Sequence, residues 1–149
     1  MHAMPTNRES TAKKAASLAE KWIEVFGGDR HGVNTKAYLW HVFSFGRFPA
    51  KEGALALEEY DRQICCEFIV LSNDRDLAYV ADERPADRPF TDFYVFPPNF
   101  AWTMAFTHED GWLGPYFAYH PRYSELNLEN IAKVKKMHEI EHAKKQGWM

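Results

Sequence analysis

Residues 93–119 read FYVFPPNFAWTMAFTHEDGWLGPYFAY. Alternating bulky apolar residues, turn punctuation and polar groups at a turn coincide in this one stretch, which marks it as the central β-hairpin of a small domain. Phe96, Pro97 and Pro98 close one extended run, and residues 101–107 form the next. His108-Glu109-Asp110-Gly111 then make a turn before residues 112–119 continue the sheet.

Working outward, ICCEFIVL leads into a strand over residues 64–71, residues 72–76 are a turn, and residues 77–81 pair back as a hairpin. The segment DERPADRPFT (82–91) is charged and carries two prolines, which lack the donor a central strand needs, so it reads as a surface loop. Upstream, KAYLWHVFSFGRF (36–48) is dense in aromatic and β-branched residues and is expected to be a strand covered on both faces. Three helices complete the pattern. The first is capped by Ser10 or Thr11, buries Ala15, Leu18, Trp22, Val25 and Phe26, and stops at Gly27-Gly28. A short one within 50–63 turns Ala54, Leu57 and Tyr60 inward, and the last, about 126–145, is patterned on Leu128, Ile131, Val134 and Met137. The expected fold is therefore α+β, a mainly antiparallel sheet of about five strands with N-terminal, short middle and C-terminal helices packed on it. All 149 residues fit one domain, with residues 1–8 expected to be a flexible tail.

With 18 basic and 21 acidic residues the chain carries a formal charge of -3, which leaves no basic excess to neutralise a run of phosphates. Nucleic acid is not expected as a partner. Nor is a membrane, since no apolar run approaches the roughly 20 residues a span needs. The start of the chain also lacks the apolar core of a secretory signal. The two cysteines, Cys65 and Cys66, are neighbours whose side chains on a strand would point to opposite faces, so they are expected to stay reduced. A cytoplasmic location follows as the expectation.

Two segments carry chemistry-bearing residues. His138-Glu139-Ile140-Glu141-His142 matches H-E-x-x-H on a helix, where histidines at i and i+4 can share a zinc ion and Glu139 can serve as a base. Against this, only AKKQGWM follows His142, so a third ligand would have to come from elsewhere, such as His41, His108 or His120. At the hairpin tip, His108 beside Glu109 and Asp110 could form an acid/base pair, although such tips normally project into water. No nucleophile elbow, Gly-rich phosphate loop or paired C-x-x-C is present in the sequence, and no cofactor is expected.

The segments YLWHVFSF (38–45) and FPPNFAWTMAFTHEDGWLGPYF (96–117) resemble a group of small bacterial proteins of unassigned function with LWHxFS and WTxxxTHE…GPYF motifs. The texture of the chain also resembles the immunity proteins encoded beside polymorphic toxins. The resemblance implies a bacterial cytoplasmic protein that binds and neutralises a cognate toxin domain rather than catalysing a reaction. Its expected binding surface comprises Glu58 and Glu59, the Asp82-Glu83 loop, and the tip His108, Glu109, Asp110 and Trp112, whose acidic groups suit a basic partner. The alternatives are a zinc hydrolase built on His138, Glu139 and His142 and a small-ligand binder with an aromatic pocket.

Overall fold

The computed structural model describes residues 8–27, 38–44, 46, 48–85, 91–108 and 114–147. Of the expected tail (1–8) only Arg8 is described, and it is helical; residues 1–7, part of the charged segment (86–90) and the tip residues Glu109, Asp110 and Trp112 lie outside the described residues.

The described residues form an α+β domain. Its elements in chain order are α1 (Arg8–Phe26), α2 (His41–Ser44), β1 (Lys51–Glu52), α3 (Ala54–Arg62), β2 (Phe68–Ser72), β3 (Ala78–Ala81), β4 (Phe93–Phe96), β5 (Trp102–Phe106), β6 (Tyr116–Tyr119) and α4 (Tyr123–Lys145). The six strands make one sheet in the order β1-β6-β5-β4-β2-β3, and every neighbouring pair is antiparallel. The expected central hairpin is β4-β5: every residue of both strands is buried.

Alternation along the strands divides the core into two layers. Ile69, Leu71, Tyr94, Phe96, Ala105, Tyr116 and Ala118 meet Ala15, Trp22 and Phe26 of α1 and Leu39, Trp40, Val42 and Phe43 around α2. On the opposite face Phe68, Val70, Phe93, Val95, Trp102, Met104 and Phe117 meet Ala56 and Tyr60 of α3, with Tyr123 and Leu126 of α4 at the margin. Trp22 Nε1 donates to Thr103 Oγ1 at 2.9 Å, which satisfies a polar group that α1 carries into the first layer.

Four expectations need correction. Residues 38–44 are not a strand. His41, Val42 and Phe43 donate to the carbonyls of Tyr38, Leu39 and Trp40 three residues back, a tight helical turn. A run apolar at nearly every position has no period to separate strand from helix, and this one packs onto the sheet instead of joining it. Ser10 and Thr11 lie inside α1, which begins at Arg8, and so do not cap it. In α3 the inward residues are Ala56, Glu59 and Tyr60, whereas Leu57 is exposed. In α4 the expected inward stripe is largely open, with Leu128, Ile131 and Met137 exposed and only Asn130 buried.

Candidate functional site

The segments that carry the sequence motifs converge at one end of the sheet. Register explains why: Phe93 pairs with Phe106, so Asp92 at the start of β4 and Thr107-His108 at the end of β5 emerge side by side. The Asp92 carboxylate accepts from Trp40 Nε1 at 2.9 Å and from the His108 backbone N–H at 3.2 Å, and His108 Nδ1 lies 3.0 Å from Oδ2. The His108 imidazole also sits 5.0 Å from the Tyr38 ring and 6.0 Å from the Trp40 ring. Beneath it, Tyr94 Oη donates to Asn73 Oδ1 at 2.6 Å and accepts from the Trp40 backbone N–H at 3.1 Å, while Asn73 Oδ1 also accepts from the Leu39 N–H. Burial holds the Tyr94 hydroxyl well above its usual pKa, so it remains a donor.

Gly114 stands at the other side of this end, with φ +86 and its missing Cβ 3.0 Å from Thr107 side-chain atoms and 3.1 Å from Tyr116 Cε2. Both the backbone conformation and the close approach require glycine there. Its N–H donates to Glu52 Oε2 at 3.2 Å, which ties the GPYF segment to β1. These hydrogen bonds of Asp92 and Tyr94 are made inside the fold, and the cluster acts as a clamp joining residues 38–41, β4 and β5. Sequence patterning did not point to Asp92, which lies 16 residues from His108 in the chain, whereas Glu109 and Asp110 lie outside the described residues.

The residues expected to form an acidic patch are not equivalent. Glu58 on α3 and Asp82 and Glu83 just beyond β3 are exposed. Glu59 is buried, with its carboxylate paired to Arg62 and 3.4 Å from Lys51 Nζ. Arg84 does not add to the exposed charge: it donates to the Gln63 carbonyl, and its guanidinium lies over the rings of Tyr60 and Phe68. Cys65 and Cys66 are half-buried free thiols. Burial pushes the Cys65 thiol up to about 12, which suppresses thiolate chemistry at neutral pH.

His138, Glu139 and His142 line an open groove of about 640 Å³ together with Ile64, Ile131, Val134 and Lys135. Among the described residues no three His, Cys, Asp or Glu side chains converge as metal ligands. A smaller hollow of about 140 Å³, lined by Glu59, Arg62, Gln63, Tyr123 and Asn127, shares Ile64 and Ile131 with the groove and continues it toward the start of α4. No helix of the described chain is long and apolar enough to cross a membrane.

No curated protein and no solved structure gives a significant match to the chain. Residues 8–117 match the model of a domain of unknown function, DUF4275, a span that runs from α1 into β6 and takes in the Asp92 cluster and Gly114 while ending before α4. That span covers well over half of the sequence, and the chain belongs to the DUF4275 family.

Proposed function

We propose that the chain is a non-enzymatic protein-binding module of the immunity type, which occupies a cognate toxin domain and uses the open groove along α4 as a docking surface. One observation carries the reading. Beyond Asn130 no side chain of α4 is buried, yet this stretch presents Ile131 and Met137 to solvent, with Leu128 one turn earlier and Ile64 across the groove. A helix with apolar residues exposed on several turns gains stability when a partner covers it. Polar groups at the groove rim, including Lys135, Glu139 and the two histidines, supply orientation.

The test is a pull-down of the tagged full chain from its native cells at low and high salt, with wild type beside the double substitution Ile131→Glu plus Val134→Glu. The expected result is one stoichiometric partner, retained at high salt because the contact is apolar and lost in the double variant. Co-expression should then relieve growth arrest caused by that partner. A partner that binds the double variant as tightly as wild type would remove α4 from the contact, and a partner without toxicity would remove the immunity reading.

A further inference from the structure

We infer that the free edge of β3 is a docking strand for an extended, lysine- or arginine-bearing segment of a partner protein. It extends the binding-module reading to a surface separate from α4. β3 is the last strand of the sheet, and among the described residues it pairs only with β2. Ser72 N donates to Leu77 O at 2.9 Å, which makes 72/77 a hydrogen-bonded pair. By the two-residue period of an antiparallel ladder, Val70/Tyr79 and Phe68/Ala81 are hydrogen-bonded pairs too, while Leu71/Ala78 and Ile69/Val80 are not. The N–H and C=O groups of Ala78 and Val80 therefore face away from β2, toward the open edge.

Natural edges are usually guarded by an inward charge, a proline or a bulge. Residues 77–81, LAYVA, carry none of these residue types, and Tyr79 and Val80 are 41% and 56% exposed. Charge lies at both ends instead, with exposed Asp74 and Asp76 before the strand and exposed Asp82 and Glu83 after it. This arrangement acts against a second copy of the chain: the antiparallel register that pairs Ala78 with Val80 of another copy sets Asp76 opposite Asp82 twice, and like charges directly opposed are destabilising. The same four carboxylates favour a strand with basic side chains at its ends. Backbone bonding by strand addition supplies the contact, and the flanking charge selects the partner.

The experiment uses the full chain, isotope-labelled, and two capped peptides of sequence Lys-Val-Lys-Val-Lys-Val and Glu-Val-Glu-Val-Glu-Val as probes. The lysine peptide should shift the amide signals of Ala78 and Val80 and slow their hydrogen exchange, weaken with added salt, and bind about tenfold or more tightly than the glutamate peptide. Val80→Pro removes an outward-facing N–H without taking a donor from the β2-β3 ladder, and should weaken the lysine peptide about tenfold while the rest of the spectrum is retained. The double substitution Asp82→Lys plus Glu83→Lys, at exposed positions outside the sheet, balances the two remaining carboxylates and should remove the preference between the peptides whether or not the proline variant folds. No change at Ala78 and Val80 with either peptide, or equal binding of both by the wild-type chain, overturns the inference. So does a concentration-dependent shift of the same amides without peptide, which would assign the edge to a second copy.

Discussion

Asp92 and His108 meet twice, through the imidazole Nδ1 at 3.0 Å and through the His108 backbone N–H at 3.2 Å, and the same carboxylate oxygen accepts from Trp40 Nε1. One side chain thus fastens the aromatic turn at residues 38–41 to the ends of two central strands. Asp92→Ala leaves the indole and amide donors without their acceptor in a site where the carboxylate is only 10% exposed. The expected loss is about 2 to 3 kcal/mol in urea or thermal unfolding, with Asp92→Asn losing less because its carbonyl oxygen still accepts. A wild-type midpoint for Asp92→Ala would show that the cluster does not hold these segments together.

Gly114→Ala should destabilise by about 1 to 3 kcal/mol. The added Cβ would be forced into a left-handed backbone conformation and would press on Thr107 and Tyr116 at the distances found. Relief of the contact separates the two causes: Thr107→Ser in the Gly114→Ala background removes one of the crowding atoms and should recover part of the loss. No recovery would show that the Thr107 methyl carries none of the cost.

How much of this end of the sheet was legible beforehand depended on the range of the interactions. The β4-β5 hairpin announced itself through local signals, alternation and the Pro97-Pro98 punctuation. The Leu39-Trp40-His41 turn did not, because the acceptors that receive the backbone N–H groups of Leu39 and Trp40 are side chains on Asn73 and Tyr94, more than 30 residues away. Strand register brings Asp92 to His108, and register is not visible in either residue's neighbours. For α4 the apolar spacing was correctly periodic, but period alone does not say whether the rest of the domain reaches far enough to cover the stripe. Of the acidic residues singled out, Glu58, Asp82 and Glu83 are exposed, while Glu59 faces inward with Tyr60 on α3.

Alkaline stability should follow two tyrosines. Burial raises the pKa of both Tyr60 and Tyr94 in the folded chain. The unfolded chain ionises near pH 10, so above that pH it releases protons that the folded state retains. The contribution is therefore full below about pH 10 and is lost as pH rises further. In a titration, phenolate absorbance from these two residues should appear together with loss of far-ultraviolet circular dichroism, and Tyr94→Phe should remove one such step. Phenolate from all seven tyrosines while the fold persists would contradict their burial.

Cys65 should alkylate slowly at mildly alkaline pH. Burial raises its thiol to about 12, which cuts the thiolate fraction about a thousandfold relative to an ordinary exposed thiol. The measurement is the rate of iodoacetamide labelling of Cys66→Ser in the folded protein against the same protein in denaturant. Equal rates would mean that the Cys65 environment does not protect it.

The two halves of α4 should differ in exchange and in tolerance to substitution. Tyr123 and Leu126 pack at the edge of the second core layer, and Asn130 Nδ2 bonds Asn99 Oδ1 at 3.3 Å while Asn99 Nδ2 donates to the Leu126 carbonyl at 3.0 Å. These contacts anchor the first two turns. From Ile131 onward no residue of the helix is buried and it rests mainly on its own ladder, and an isolated helix of such length is marginal in water. Amide exchange in the free protein should therefore rise sharply past Asn130. Met137→Glu should change the unfolding free energy by less than about 0.5 kcal/mol, against about 3 to 5 kcal/mol for Trp22→Ala in the first core layer. Addition of a partner that covers the groove should slow exchange across residues 131–145 and leave the first turns unchanged, because they are already held. Uniform protection along α4 in the free chain would mean that the distal turns do not depend on a partner, and would take away the physical reason for assigning them one.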